Sequence, residues 1–141
     1  MLPQKQSQQG PAFAIADINN DGLTDMFLGG GPGQSAHIYL QTKDGRYTEA
    51  VQETLKTDKD FEDNGAHFFD TDEDGDMDLY VTSGGYELNE NNPLLQDRLY
   101  INDGKGNFAR SNNLPKMLTS TKAIASHDYD NDGDVDLIVG G

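Results

Sequence analysis

The chain has 141 residues, enough for one ordinary domain, and its apolar fraction of 34% is low for a globular protein. Its formal net charge of -15 argues against a nucleic-acid partner, whose phosphates it would repel. The chain contains no cysteine, which excludes disulfides and thiolate metal sites, and no run of residues is long and apolar enough to span a membrane.

The first ten residues, Met1–Gly10, form a glutamine-rich stub that lacks the apolar core of a signal peptide. We therefore expect either that a leader has been removed or that the chain is an internal piece of a longer protein.

The first predicted structural unit covers residues 11–52. A short apolar run, Ala12–Ala16, precedes a nine-residue acidic loop, Asp17–Asp25, and a second apolar run, Met26–Gly30, follows it. Two further runs, His37–Leu40 and Arg46–Thr48, are joined by a segment that contains Lys43-Asp44-Gly45. Asp-Gly between such runs is typical of a β-hairpin. Short runs bounded by turn residues favour strands over helices. The unit is therefore predicted to contain four antiparallel strands.

The same unit recurs at residues 64–112 and, in shortened form, at residues 121–141. The acidic loops begin at residues 17, 70 and 128, so their spacings are 53 and 58 residues. Four strands at this period are the make-up of a β-propeller blade. The predicted fold is all-β, with two complete blades and the first half of a third. A polar insertion, Tyr86–Pro93, separates the second and third strands of the second blade.

The three acidic loops share one pattern, with side-chain oxygens at positions 1, 3, 5 and 9 and glycine at position 6. Short carboxylates at alternating positions allow a tight loop to converge several oxygens on a hard cation. We attribute the glycine to the sharp reversal after the third ligand, where a Cβ would clash.

These features resemble the FG-GAP/VCBS repeats of integrin-like β-propellers. The matching motifs are the Asp-x-Asp-x-Asp-Gly-x-x-Asp loop, an Asp-Leu-x-Val strand ending in Gly-Gly, and Leu-Tyr-Ile-Asn-Asp-Gly-Lys-Gly-Asn-Phe, and together they cover about Gly10 to Gly141. The resemblance implies that each acidic loop joins the first two strands of a blade and binds calcium. Closed members of the family have about seven blades, so we expect this chain to be an open fragment of a longer propeller.

The proposed calcium ligands are side-chain oxygens from positions 1, 3 and 5, the backbone carbonyl of position 7 and the carboxylate of position 9, completed by a water. In loop order they are Asp17, Asn19, Asp21, Leu23 and Asp25; Asp70, Asp72, Asp74, Asp76 and Asp78; and Asp128, Asp130, Asp132, Asp134 and Asp136. Up to three Ca²⁺ ions are expected, one per loop. Because Asn19 supplies a neutral oxygen, the first site is expected to bind more weakly.

Several other interpretations of the loops can be weighed. An EF-hand loop needs an acidic residue at position 12, where this chain has Leu28, Val81 and Val139. Magnesium demands stricter octahedral geometry and keeps its waters, so it fits a ligand-rich loop less well. A metal-free Asp/Gly turn is the remaining alternative, although so many carboxylates within nine residues would repel one another.

No catalytic residues are predicted. Ser126-His127-Asp128 contains the residue types of a triad, but contiguous residues of a strand point to opposite faces. Gly29–Gly33 lacks the lysine and the following helix of a phosphate-binding loop. His37 and His67 are assigned ordinary packing or surface roles.

The predicted function is that of a calcium-stabilised propeller module in an extracellular, cell-surface or periplasmic protein, which binds a protein or a glycan, for example in adhesion. Family analogy places the ligand on the propeller face away from the metals, at Gly29–Ser35 and Tyr86–Gln96. The alternative is a non-catalytic or partial piece of a carbohydrate-active enzyme, such as a polysaccharide lyase. The half blade would leave a strand edge near Leu137–Val139 unpaired, which makes self-association possible.

Overall fold

The structure is a computed structural model that describes residues 12–31, 33–71, 73–84, 93–111, 123–127 and 136–140. Within these ranges the regular elements are strands, apart from one short helix, α1 (Glu53–Thr57), and one 3₁₀ turn (Pro93–Leu95). The strands are β1 (Phe13–Ala16), β2 (Asp25–Leu28), β3 (His37–Gln41), β4 (Tyr47–Glu49), β5 (Glu62–Phe69), β6 (Asp78–Gly84), β7 (Arg98–Asn102), β8 (Phe108–Arg110), β9 (Ala123–His127) and β10 (Asp136–Gly140). The all-β prediction is confirmed.

The strands form three antiparallel sheets in chain order. The first sheet has the order β1-β2-β3-β4, the second has the order β5-β6-β7-β8, and β9 pairs with β10. Every neighbouring pair is antiparallel. The two four-stranded sheets are the predicted blades, and the third, two-stranded sheet corresponds to the half blade.

The two four-stranded sheets pack face to face around one apolar core. Phe27 of β2 and Ile38 of β3 are cross-strand partners and are fully buried. They belong to the same cluster as Leu79 and Tyr100, which are paired across β6 and β7 of the second sheet. Burial of apolar side chains from both sheets stabilises their stacking.

Successive sheets also meet at their first strands, because β1 lies beside β5 and β5 lies beside β9. Neighbouring first strands are what blades arranged around a common axis require. The structure is therefore that of a partial β-propeller.

The connection between the first two sheets contains α1, which the sequence analysis did not predict. A helix of five residues is too short to show a clear periodicity, and it buries only one apolar side chain, that of Leu55. Gln52, just before the helix, fixes the connection to the second sheet. Its Nε2 donates to the Gly106 carbonyl at 2.9 Å, and its Oε1 accepts from the Phe108 N–H at 3.1 Å.

The outer face of the first sheet exposes large apolar side chains. Phe13 and Ile15 of β1 are 54% and 58% exposed. The residues at the same repeat positions in the second sheet, Ala66 and Phe68, pack in the core between the two sheets. The exposed face of the first sheet therefore corresponds, in the repeat, to the face of the second sheet that packs against the first sheet.

Candidate metal centre

The first acidic loop is folded by hydrogen bonds from its own carboxylates to its own backbone. Asp17 accepts the Asp21 N–H at 3.2 Å through Oδ1 and the Gly22 N–H at 2.8 Å through Oδ2. Asp21 Oδ1 accepts the Leu23 N–H at 2.9 Å. Short acidic side chains commonly satisfy nearby backbone donors in this way. They hold the loop between β1 and β2 in a tight curve.

Asp25, at position 9, anchors the loop to the sheet. It is fully buried, and it accepts the Ile18 N–H at 3.0 Å and the Gln41 N–H at 2.8 Å through its two different oxygens. Burial raises the pKa of Asp25, and the neighbouring charges of Asp17 and Asp21 add to this, while the two backbone hydrogen bonds act in the opposite direction. The environment therefore disfavours negative charge on Asp25 unless a cation is nearby.

The loop brings together the oxygens that the sequence analysis singled out. Asp17, Asp21 and Asp25 each offer an oxygen atom, and these atoms lie within 4.8 Å of one another. Asn19 Oδ1 is buried and has no hydrogen-bond partner in the described part of the chain. A buried amide oxygen without a donor is costly, and coordination by a cation would satisfy it. These residues fit a hard divalent cation.

The second acidic loop repeats this architecture between β5 and β6. Asp70 accepts the Asp74 N–H at 3.2 Å and the Gly75 N–H at 2.9 Å. Asp78, fully buried like Asp25, accepts the Thr71 N–H at 3.0 Å and the Asn102 N–H at 2.8 Å. The same bonds in two loops indicate that the loop fold follows from the motif.

Two positions in each of the first two loops adopt a positive φ. At position 6, φ is +84° in Gly22 and +89° in Gly75, and at position 4 it is +60° in both Asn20 and Glu73. A Cβ added at Gly22 or Gly75 would meet no atom within 4 Å beyond the neighbouring residues. The steric reason given for glycine in the sequence analysis is thus corrected: glycine is needed for its backbone conformation, not for space. The positive φ at position 4 was not predicted.

Some predicted ligands lie outside the described residues. They are Asp72 of the second loop and Asp128, Asp130, Asp132 and Asp134 of the third. Asp136, the last predicted ligand, begins β10 and pairs with His127. The proposed third site remains a prediction.

Sequence analysis missed two contacts that connect the loops of neighbouring sheets. Asp76 was predicted to act through its carbonyl, but its side chain also accepts a hydrogen bond from Asn20 Nδ2 at 2.8 Å. Asn102, outside both motifs, donates from Nδ2 to the Ile18 carbonyl at 2.7 Å and to the Met77 carbonyl at 2.9 Å. The only available signal was its place in the repeat, at the strand position that Gln41 occupies in the first sheet.

The remaining candidates occupy ordinary surroundings. His37 contacts Glu49 on the exposed side of the first sheet, with 2.6 Å between Nδ1 and Oε2. The rings of His67 and Phe69 lie 5.8 Å apart, and burial lowers the pKa of His67. No helix in the described part of the chain is long and apolar enough to cross a membrane.

Comparison with known proteins supports the repeat architecture. The family model for the FG-GAP-like repeat matches residues 17–81 and again residues 86–139. No curated protein and no solved structure matches the chain. The two matches cover most of the chain and include the three acidic loops, two of which the structure places at the turn between the first two strands of a sheet. The chain therefore belongs to the FG-GAP-like repeat family.

Proposed function

We propose that this propeller-type module is stabilised by calcium and that it serves an extracellular, cell-surface or periplasmic protein in binding a protein or a glycan. The observation that supports calcium most directly is the first loop, where Asp17, Asp21 and Asp25 converge and the Asn19 Oδ1 accepts no hydrogen bond from the residues that the structure describes.

Electrostatics explains why a cation would stabilise this loop. Two unit charges 4.8 Å apart repel by about 1 kcal/mol in water and by about 3 kcal/mol at an effective dielectric constant of 20. A bound Ca²⁺ replaces this repulsion with attraction. Because Asp25 also accepts the N–H of Gln41 in β3, the ion would connect the loop to strands beyond the β1–β2 hairpin.

Calcium fits the ligand set better than magnesium does. Calcium takes six to eight oxygens in flexible geometry, whereas magnesium favours a strict octahedron with several retained waters. Calcium sites in extracellular modules can be weak because external calcium is plentiful. This agrees with an Asn in place of an acidic residue at position 19.

A calorimetric titration tests the calcium proposal. Chelated protein should bind Ca²⁺, and its melting temperature should rise, because free calcium at ten times Kd stabilises the folded state by about 1.4 kcal/mol per site. Asp21→Asn should remove or weaken one site. Asp60→Asn makes the same charge change at an exposed position outside the loops and should leave binding unaltered. If neither heat nor melting temperature responds to millimolar calcium, the proposal is wrong.

The ligand-binding part of the proposal concerns the segment after β2. Gly29–Ser35 follows the end of β2 opposite to the acidic loop. The Gly30 carbonyl accepts the Asp63 N–H at 3.1 Å, and the Gly30 N–H donates to Asp63 Oδ2 at 2.8 Å. The Gly33 N–H donates to the Lys59 carbonyl at 2.9 Å. A loop fixed by a rigid scaffold is a common site of recognition. Screening the chain against immobilised glycans and extracellular-matrix proteins, with Gln34→Ala as the variant, tests this part.

A further inference from the structure

Asn102 lies between the acidic loops of the two neighbouring sheets. Its side chain is almost completely buried, and its Nδ2 donates to the carbonyl of Ile18 in the first loop and to the carbonyl of Met77 in the second, at 2.7 and 2.9 Å. Ile18 stands between two predicted ligands of the first loop, and Met77 stands between two of the second. One amide group thus fixes the backbone of both candidate metal sites.

The other hydrogen-bonding groups of Asn102 are also used. Its backbone N–H donates to Asp78 Oδ1 at 2.8 Å. Its Oδ1 accepts from the N–H groups of Gly104 and Gly106 at 3.0 and 3.1 Å. With the donors and the acceptor of its side chain engaged, Asn102 has one well-defined orientation. It therefore forms a fixed hydrogen-bonded link between the two loops.

A second contact joins the loops at the surface. Asn20 Nδ2 donates to Asp76 Oδ1 at 2.8 Å and reaches the Gly104 carbonyl at 3.3 Å. Asn20 is position 4 of the first loop, and Asp76 is position 7 of the second.

We propose that Asn102 is a positioning residue that, together with Asn20, couples the calcium affinities of the two loops, so that calcium in one loop strengthens binding in the other. This inference rests on the proposed function. A loop ordered by its own ion holds Asn102 in place, and the second loop then loses less conformational freedom when it binds.

The direct charge effect has the opposite sign. Calcium in the first loop neutralises carboxylates that would otherwise attract an ion to the second loop, so electrostatics alone would weaken the second binding event. Positive coupling can therefore be assigned to the contacts and not to charge.

Loop-specific titration of the full chain by ¹H–¹⁵N NMR tests the coupling. The amide of Gly75, which donates to Asp70, reports calcium in the second loop, and that of Gly22 reports the first. The first loop is disabled by Gly22→Val, which leaves the charge unchanged but places a β-branched residue at a φ of +84°.

The expected result is that Gly22→Val raises the Kd of the second loop about five-fold. In an Asn102→Ser background the same change should have less than half that effect. Gln41→Ala is the matched control, because Gln41 occupies the same strand position and its side chain makes no hydrogen bond within the described part of the chain. It should leave the five-fold effect intact.

A second variant covers the case in which Asn102→Ser does not fold. In Asn20→Gly the glycine adopts the positive φ of this position without strain, and only the side-chain contact with the second loop is lost. This variant should therefore reduce the coupling. The inference is overturned if Gly22→Val leaves the Kd of the second loop unchanged, or if the effect is the same with and without Asn102 and Asn20. If neither glycine amide shifts at millimolar calcium, the proposed function fails as well, and the two failures are thereby distinguished.

Discussion

Replacing the buried Arg98 by methionine should destabilise this protein more than the same replacement of an arginine that is partly exposed. Arg98 begins β7, and its guanidinium is paired with the Asp63 carboxylate, with side chains only 2% and 3% exposed. Nη1 donates to the Tyr100 hydroxyl and Nε to Ser83 Oγ, each at 3.1 Å. The guanidinium carbon also lies 4.4 Å from the centre of the Phe61 ring.

The magnitude follows from burial. Arg98→Met preserves most of the apolar stem but leaves the Asp63 carboxylate buried without its counter-charge. Breaking a buried pair in this way costs about 3–5 kcal/mol. For a chain of this length the melting temperature should fall by roughly 9–15 °C, at about 3 °C per kcal/mol.

Arg110 provides the matched control. Its guanidinium carbon lies 5.2 Å from the centre of the same Phe61 ring, and Nη1 pairs with Asp58 at 2.9 Å, but its side chain is 35% exposed. Both carboxylates keep another donor when their arginine is removed, the Tyr100 hydroxyl for Asp58 and the Gly30 N–H for Asp63, each at 2.8 Å. The two pairs therefore differ mainly in the exposure of the arginine. Solvent screens the Arg110 side of this pair, but the Asp58 side chain is only 6% exposed, so Arg110→Met should cost about 1–2 kcal/mol, less than Arg98→Met.

The assay is urea denaturation, monitored by circular dichroism at one fixed calcium concentration, since bound calcium would itself change the free energy of unfolding. The double variant Arg98→Met/Asp63→Asn removes the uncompensated charge and should be more stable than Arg98→Met alone. Equal destabilisation by Arg98→Met and Arg110→Met, or a double variant whose cost is the sum of the two single costs, would refute the reasoning.

Two further outcomes are expected. Gly30→Ala should destabilise the protein by about 1–3 kcal/mol, because the added Cβ would lie 2.0 Å from the Gln34 carbonyl oxygen. Gly31→Ala should be neutral or slightly stabilising in the same denaturation assay, because the nearest atom to its Cβ would be 3.9 Å away. Equal effects of the two substitutions would contradict this prediction. Burial raises the pKa of Tyr80 and Tyr100 well above the ordinary value of 10, so the stability that this shift contributes is present below pH 10 and declines as the pH rises further. In a titration of phenolate absorbance these two of the six tyrosines should ionise only as circular dichroism reports unfolding, and complete ionisation of the folded protein would contradict the prediction.

The sequence by itself determined the local architecture. Hydrophobic runs of a few residues, separated by Asp/Gly turns and repeated at regular spacing, specified four-stranded units because strand and hairpin signals are short-range. The acidic motif specified its own loop for the same reason, since Asp17 and Asp70 bond to backbone groups only four and five residues away. Those contacts occur in both of the loops that the structure describes.

Only the tertiary structure decided which residues connect one four-stranded unit to the next. The side chain of Asn102 meets Ile18 across 84 residues of sequence, Asn20 meets Asp76 across 56, and these partners come together only when the sheets stack. The burial of Asp25 likewise depends on β3, whose Gln41 N–H reaches it from 16 residues away. A local pattern reveals which oxygens a loop offers, but packing between sheets determines which of them are buried, held in place and linked to the neighbouring loop.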